Sequence, residues 1–403
     1  MQSIKHKLEI DPLKIIIFGA GKIGRSFLGQ LFGCSGYQVV FVDVDLPLVE
    51  KLNQRGCYPV VIKGEEDHVI IVRNVRAISA FDREQVTEAV ATAGILSVNV
   101  GKNALVKVIP VIADGLKIRQ QQNPFSPLDI ILAENMRDAA QFVREQLVFG
   151  LPVDYPVDKL VGLVETSIGK MVPIMPLAEM EKDPLMVFAE PYNSLILDQK
   201  GFRSAIPDVK GLSPKANIKA WVDRKAFIHN LGHATAAYFG HSLHPEMEYM
   251  FEVLDDPEVL RFTRAVMSQS AEVLLIHYPD DFTHDDLIRH IDDLIRRFRN
   301  KALRDTVFRV GQDLTRKLSS DDRFMGIVHM AIEKQMPYDL ILKAMSYGFS
   351  FGAKDEEGNA TPSDTTFHAL LEMDFEKTLF QELNMDPLED QLIVRSLKKL
   401  YYN

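Results

Sequence analysis

The sequence predicts an α/β protein, with a doubly wound parallel sheet in its N-terminal half and a mainly α-helical C-terminal half. Three observations carry this. Short β-branched runs, "KIIIFGAG", "QVVFVDVD", "HVIIVRNV", "GILSVNVG" and "LDIILAENM", alternate with helical patterns through the first half. Uninterrupted apolar strands of this kind suit a parallel sheet covered by helices on both faces. From about Lys215 onward, strand patterns give way to long amphipathic segments such as "DDLIRHIDDLIRRFRNKALRDTVFRV", the mark of helices packed on one face. Finally, a glycine-rich turn joins the first strand to the first helical pattern.

The chain of 403 residues is long enough for two domains, each with its own core. The stretch "EPYNSLILDQKGFRSAIPDVKGLSPKAN", with prolines and glycines spaced through it, reads as a connector carrying a short strand or two. The boundary is expected near residue 207, giving domains 1–207 and 208–403. Lys and Arg number 46 against 56 Asp and Glu, a formal charge of −10. That balance opposes general attraction to nucleic acid or an anionic membrane and makes small molecules the default partners. The arginines from Arg296 to Arg309 alternate with aspartates and read as a solvated helix face.

Only two cysteines, Cys34 and Cys57, occur, which points to a reducing compartment. The opening "MQSIKHKLEIDPLK" has no apolar core of a secretory signal, and no run of about 18 apolar residues follows. A cytoplasmic protein without a membrane span is the expectation.

In "KIIIFGAGKIG", Gly19, Gly21 and Gly24 form a G-x-G-x-x-G between a strand and a helix, with Lys22 and Ile23 inside the turn. The first glycine permits the tight turn, the second lets a pyrophosphate approach the backbone, and the third lets helix and strand pack closely. Free N–H groups at the helix start would meet the phosphates. Asp43 ends "VVFVDVD", where a Rossmann-type fold places a carboxylate on the adenosine ribose; Asp45 is a second acid that could share this work. A carboxylate there repels a 2′-phosphate, so NAD is expected over NADP. The cofactor set is therefore Gly19, Gly21, Lys22, Ile23, Gly24 and Asp43.

The segment "WVDRKAFIHNLGHATAAYFG" gathers Lys225, His229, Asn230 and His233. At about 100° per residue they fall within an arc of about 140° on an α-helix. Burying such groups is costly unless each finds a partner. His229 and His233 stand at metal-ligand spacing, but "HNLGH" lacks the glutamate of a zincin helix and no third ligand is evident, so no metal is expected.

These residues resemble the polyol-specific long-chain dehydrogenases. "FGAGKIGRSFLGQLF" looks like that family's nucleotide loop, "ENMRDAA" like its Glu-Asn segment, the Lys225 segment like its catalytic helix, and "RVGQDLTRKLSSDDR" like its C-terminal basic motif. The likeness runs from about residue 14 to at least residue 330. It implies oxidation of a secondary alcohol without zinc, with Lys225 as general base and Asn135, Asn230 and His233 around the reacting oxygen.

The chemistry agrees. A lysine takes the hydroxyl proton only if burial and positive neighbours lower its pKa from about 10.4. Asparagine amides can donate to the developing alkoxide, and Asn135 follows "LDIILAE" at the carboxyl end of a strand, where open parallel sheets bind ligands.

The implied reaction interconverts a polyol or polyol phosphate and its ketose, with mannitol 1-phosphate and fructose 6-phosphate the leading pair. Hexuronate reduction, unphosphorylated mannitol 2-dehydrogenase activity and a non-catalytic NAD-binding regulator are the alternatives. The family leans monomeric, a weak dimer being the other arrangement. Three departures touch substrate identity: Gly169 and Lys170 stand where relatives have Asp-Arg, His229 replaces an apolar residue, and Gln312 stands where many have arginine.

Overall fold

In the computed structural model, residues 8–64, 66–134 and 138–402 are described. Clustering of contacts divides the chain into two compact units, Met1–Val222 and Asp223–Asn403.

The first unit is built on β1 (Asp11–Phe18), β2 (Gln38–Asp43), β3 (Cys57–Ile62), β4 (His68–Arg73), β5 (Val75–Ser79), β6 (Ala93–Val98), β7 (Leu128–Leu132), β8 (Val161–Ser167), β9 (Val187–Ala189), β10 (Leu195–Asp198) and β11 (Leu212–Lys215). Eight of them form one sheet in the order β11-β10-β8-β7-β6-β1-β2-β5. From β5 through β8 its pairings are all parallel. The chain runs outward from β1 to β2 and β5, then returns to β6 on the other side of β1. This reversal opens a crevice at the carboxyl ends of β1 and β6, where such sheets bind ligands.

β1 shows why the sheet is stable. Ile15 and Ile17 face one core with Phe27, Phe41 and Tyr58; Ile16 and Phe18 face the other with Val40, Leu105 and Leu116. Each such fully buried side chain contributes about 1.5–3 kcal/mol.

One strand differs from the sequence pattern. "HVIIVRNV" is not one buried parallel strand. It breaks at Asn74, whose φ of +57° lies in the left-handed region that asparagine tolerates. Before the break, β4 pairs antiparallel with β3 in a small sheet, β4-β3-β9, leaving Val69 and Ile71 exposed; after it, β5 joins the main sheet. The connector, in turn, supplies both β10, antiparallel to β8, and β11 at the sheet edge.

Among the described residues of the second unit every regular element is a helix, apart from one isolated bridge between Tyr249 and Thr306. At its centre the helix Leu231–Leu243 buries Ala234, Ala236, Ala237 and Tyr238. Its small residues let neighbours close in. A Cβ at Gly232 would stand 2.5 Å from Sδ of Met267, on the helix Pro257–His277. Among the described residues no helix is long and apolar enough to cross a membrane.

Candidate active site

In the glycine loop each glycine has its own reason. Gly19 has φ +96°, donates its N–H to Val42 O at 2.8 Å, and would bring a Cβ within 2.9 Å of Asn99 O. A Cβ on Gly24 would lie 2.0 Å from Gly19 O, so any side chain would force the helix off the strand end. At Gly21 nothing lies within 4 Å, so backbone is open to a ligand there. Lys22 is exposed and Ile23 half-buried.

The two acids after β2 are engaged differently. Asp43 accepts the Ala20 N–H at 2.6 Å through Oδ2 and the Asp45 N–H at 2.9 Å through Oδ1, which fixes it against the glycine loop. Asp45 caps the helix Leu46–Arg55, accepting the Leu48 N–H at 3.1 Å. Each carboxylate oxygen of Asp43 keeps accepting capacity beyond its one bond.

The motif alone did not single out two further residues at this crevice. Asn99 Nδ2 donates to Gly19 O at 3.0 Å. Glu134, buried at the end of β7, accepts the N–H of Val100 at 2.7 Å and of Gly101 at 3.0 Å, tying down the start of the helix Lys102–Gln122. Burial raises the pKa of this carboxyl, and the two N–H groups pull it back. Asn135, its neighbour, lies outside the described residues.

In the second unit, the Lys225 helix is not regular. From Lys225 to Asn230 it is a π-turn, and the Leu231 N–H donates to Ala226 O, five residues back, as well as to Ile228 O. The arc drawn for an ideal α-helix is therefore corrected: a π-turn closes residue i on i+5, so Asn230 lies nearer to Lys225 around the axis than the roughly 140° of an α-helix. Single π-turns within α-helices are frequent at functional sites.

Half-buried Lys225 has its pKa lowered to about 8, first by burial, then by the Arg323 charge, with Asp322 opposing. The ring of His233 stacks on Phe298, and its Nε2 lies 3.4 Å from Asp305 Oδ2. Burial, then Arg309, Lys317 and Arg323, hold the His233 pKa well below the ordinary value. His229 is buried, 5.4 Å from the Phe298 ring, and is likewise held neutral, by burial and then Arg297. Among the described residues no group of three or more His, Cys, Asp or Glu is placed to hold a metal ion.

A set of charged groups completes the surroundings. Buried Lys317 donates Nζ to Val310 O at 2.6 Å and has its pKa lowered to about 7 by burial and then Arg323. Arg309 Nε donates to Asp305 Oδ1 at 2.6 Å. Arg323 donates to Asp322 Oδ1 at 2.8 Å and to Asn230 O at 3.3 Å. The signal for Arg309, Lys317 and Arg323 was the motif "RVGQDLTRKLSSDDR", which holds all three; Asp305 lies just outside it. Gln312, in that motif, caps the short helix Val307–Gly311. In the first unit Lys170 is buried, donates to Asn193 Oδ1 at 2.9 Å and lies 5.1 Å from the Phe27 ring centre.

A glycine-loop parallel sheet followed by a helical unit fits the class of two-domain nucleotide-dependent dehydrogenases. Residues 13–211 match the family model of the mannitol dehydrogenase Rossmann domain, and residues 217–390 that of the mannitol dehydrogenase C-terminal domain. The chain belongs to the mannitol dehydrogenase family.

Two solved structures share the fold. One is Pseudomonas fluorescens mannitol 2-dehydrogenase in ternary complex with NAD and D-mannitol, at 14% identity and TM-score 0.75, covering 99% of this chain and 92% of that one. The other is D-sorbitol dehydrogenase in substrate-free form, at 16% identity and TM-score 0.77, covering 98% and 93%.

Proposed function

We propose that this protein is an NAD-dependent, zinc-independent dehydrogenase that interconverts a polyol or polyol phosphate and its ketose, with mannitol 1-phosphate and fructose 6-phosphate as the leading pair. The observation that carries the reading is Lys225, with a pKa near 8, in one π-turn with Asn230 and about two turns of helix before His233.

The residues of the first unit fit NAD. The open space at Gly21 suits the pyrophosphate, with Lys22, Ile23 and the helix start around it, and Asp43, held rigidly by Ala20 and Asp45, suits a ribose diol. When bound, NAD supplies the hydride acceptor for alcohol oxidation.

The chain's own part is proton handling and charge stabilisation. Neutral Lys225 takes the hydroxyl proton, while the Asn230 and Asn135 amides and the His233 imidazole donate hydrogen bonds to the oxygen as charge gathers on it. Arg309, Arg316, Lys317 and Arg323 are matched by Asp305, Asp313, Asp322 and Asp364 in this segment, so the phosphate of the leading pair is supported by the family resemblance of the sequence and not by a surplus of positive charge. The test is NADH formation with mannitol 1-phosphate, mannitol and sorbitol, and NADH consumption with fructose 6-phosphate, fructose and hexuronates. A preference of at least about tenfold for the phosphate esters in kcat/KM is expected; equal use of free and phosphorylated sugars would remove the phosphate from the assignment.

A further inference from the structure

The helix carrying Lys225 is in π register only from Lys225 to Asn230, and α-helical on both sides. Such a turn is rare enough that something must hold it. In an α-helix the Leu231 N–H would donate to Phe227 O; here it goes to Ala226 O and Ile228 O. Phe227 O receives the hydroxyl of Ser270, at 2.5 Å, from the helix Pro257–His277. Ser270 is 0% exposed and Phe227 1%, so no water replaces that donor.

Met267, one turn before Ser270, lies against Gly232, and this close approach of the two helices sets the hydroxyl on the carbonyl. The first unit holds a second π-turn, Gly24–Gly29, in which the carbonyl of Arg25, one position earlier in the turn than Phe227, receives the hydroxyl of buried Tyr58 at 2.8 Å.

We propose that Ser270 is a positioning residue for the reaction: its hydrogen bond to Phe227 O holds the π-turn that draws Asn230 toward the Lys225 side of the helix. The proposal rests on the reading of Lys225 and Asn230 as base and oxyanion donor. Ser270 touches neither substrate nor cofactor. Without its hydroxyl, the segment gains by returning Phe227 O to the Leu231 N–H. Each residue of register lost turns Asn230 and His233 by about 100° relative to Lys225.

The test uses Ser270→Ala, Ser270→Thr and Ser270→Cys in the full chain. Ser270→Ala should lower kcat about a hundredfold, the effect of a displacement near 1 Å in a reacting group, with KM for NAD changed less than about twofold. The pH midpoint of oxidation, expected near 8 in the parent from the lowered Lys225 pKa, should move. Ser270→Thr keeps the hydroxyl and should regain most of the rate; Ser270→Cys keeps the size with a weak donor and should not. Hydrogen exchange of the peptide spanning 225–231 should quicken in Ser270→Ala, a readout independent of catalysis.

An alanine variant with parental kcat, pH midpoint and exchange overturns the proposal, even if it melts at a lower temperature. If that variant does not fold, equal rates in the Thr and Cys variants overturn it. Parental activity in Lys225→Ala would instead remove the underlying reading of the base, while the exchange result would still decide whether Ser270 holds the turn.

Discussion

The imidazole of His233 lies flat on the ring of Phe298, with centroids 4.3 Å apart and planes 4° apart. The stack fixes the ring plane, and burial with the nearby cations keeps the ring neutral, so its orientation and not its titration matters to a substrate oxygen. Phe298→Leu keeps an apolar side chain but removes the stack. It should lower kcat about tenfold and stability by about 1–2 kcal/mol, read by steady-state kinetics and urea unfolding. Unchanged kcat in a folded variant would show that the ring plane of His233 is not used.

Asp43 is held on both carboxylate oxygens by backbone N–H groups, whereas Asp45 is occupied as a helix cap. Asp43→Ser should therefore raise KM for NAD about tenfold and reduce the preference for NAD over NADP, because a ribose hydrogen bond and a repulsive charge go together. Asp45→Ser, which preserves a capping side chain, should do neither. The reverse pattern would transfer the ribose to Asp45.

Lys317 predicts a pH dependence of stability. Its pKa is about 7 in the folded chain and about 10.4 when unfolded. Between those values the unfolded chain binds a proton that the folded one lacks, so this group makes stability rise with pH, by at most about 1.4 kcal/mol per unit. Below about 7 both states are protonated and the slope vanishes. Urea midpoints from pH 6 to 10 should show that rise in the parent, and Lys317→Met should reduce it, most clearly between pH 7 and 8, below the range in which Lys225 adds its own slope. A variant with the parent's slope would place Lys317 in a more solvated setting.

The alternation of β-branched runs and the glycine spacing made the first sheet and the nucleotide loop legible, because strand burial and phosphate approach constrain residue type at each position. The strand at Cys57–Ile62 and the break at Asn74 were not, since a single left-handed residue redirects a chain without altering its hydrophobic pattern. Lys225, Asn230 and His233 were legible as one helix face, but only under the assumption of an α-helix. The π-turn depends on Ser270, forty residues downstream of Asn230, and no local spacing encodes that bond. Lys317 and Arg323 stood inside a motif whose charges could equally have faced solvent; burial, which lowers the Lys317 pKa and sets the effect of Arg323 on Lys225, is a property of the packed unit.

If Lys225 is the general base, its neutral form drives oxidation and its protonated form drives reduction. With a pKa near 8, about a tenth of the enzyme is ready to oxidise at pH 7 and about nine-tenths at pH 9. Oxidation should thus rise through pH 8 while reduction falls over the same range. Lys225→Ala should lower both rates by about 10²–10⁴ and leave NADH affinity nearly unchanged, with a small primary amine in the buffer restoring part of the rate. Arg323 offers a sharper check, because it is the charged neighbour that does most to lower the Lys225 pKa. Arg323→Gln removes that charge, so the oxidation midpoint should move above pH 8 and the reduction midpoint should move with it. Should the two midpoints stay in place, or move in opposite directions, the titrating group is not Lys225, and Lys317, the other lysine whose pKa is lowered, would be the next residue to replace.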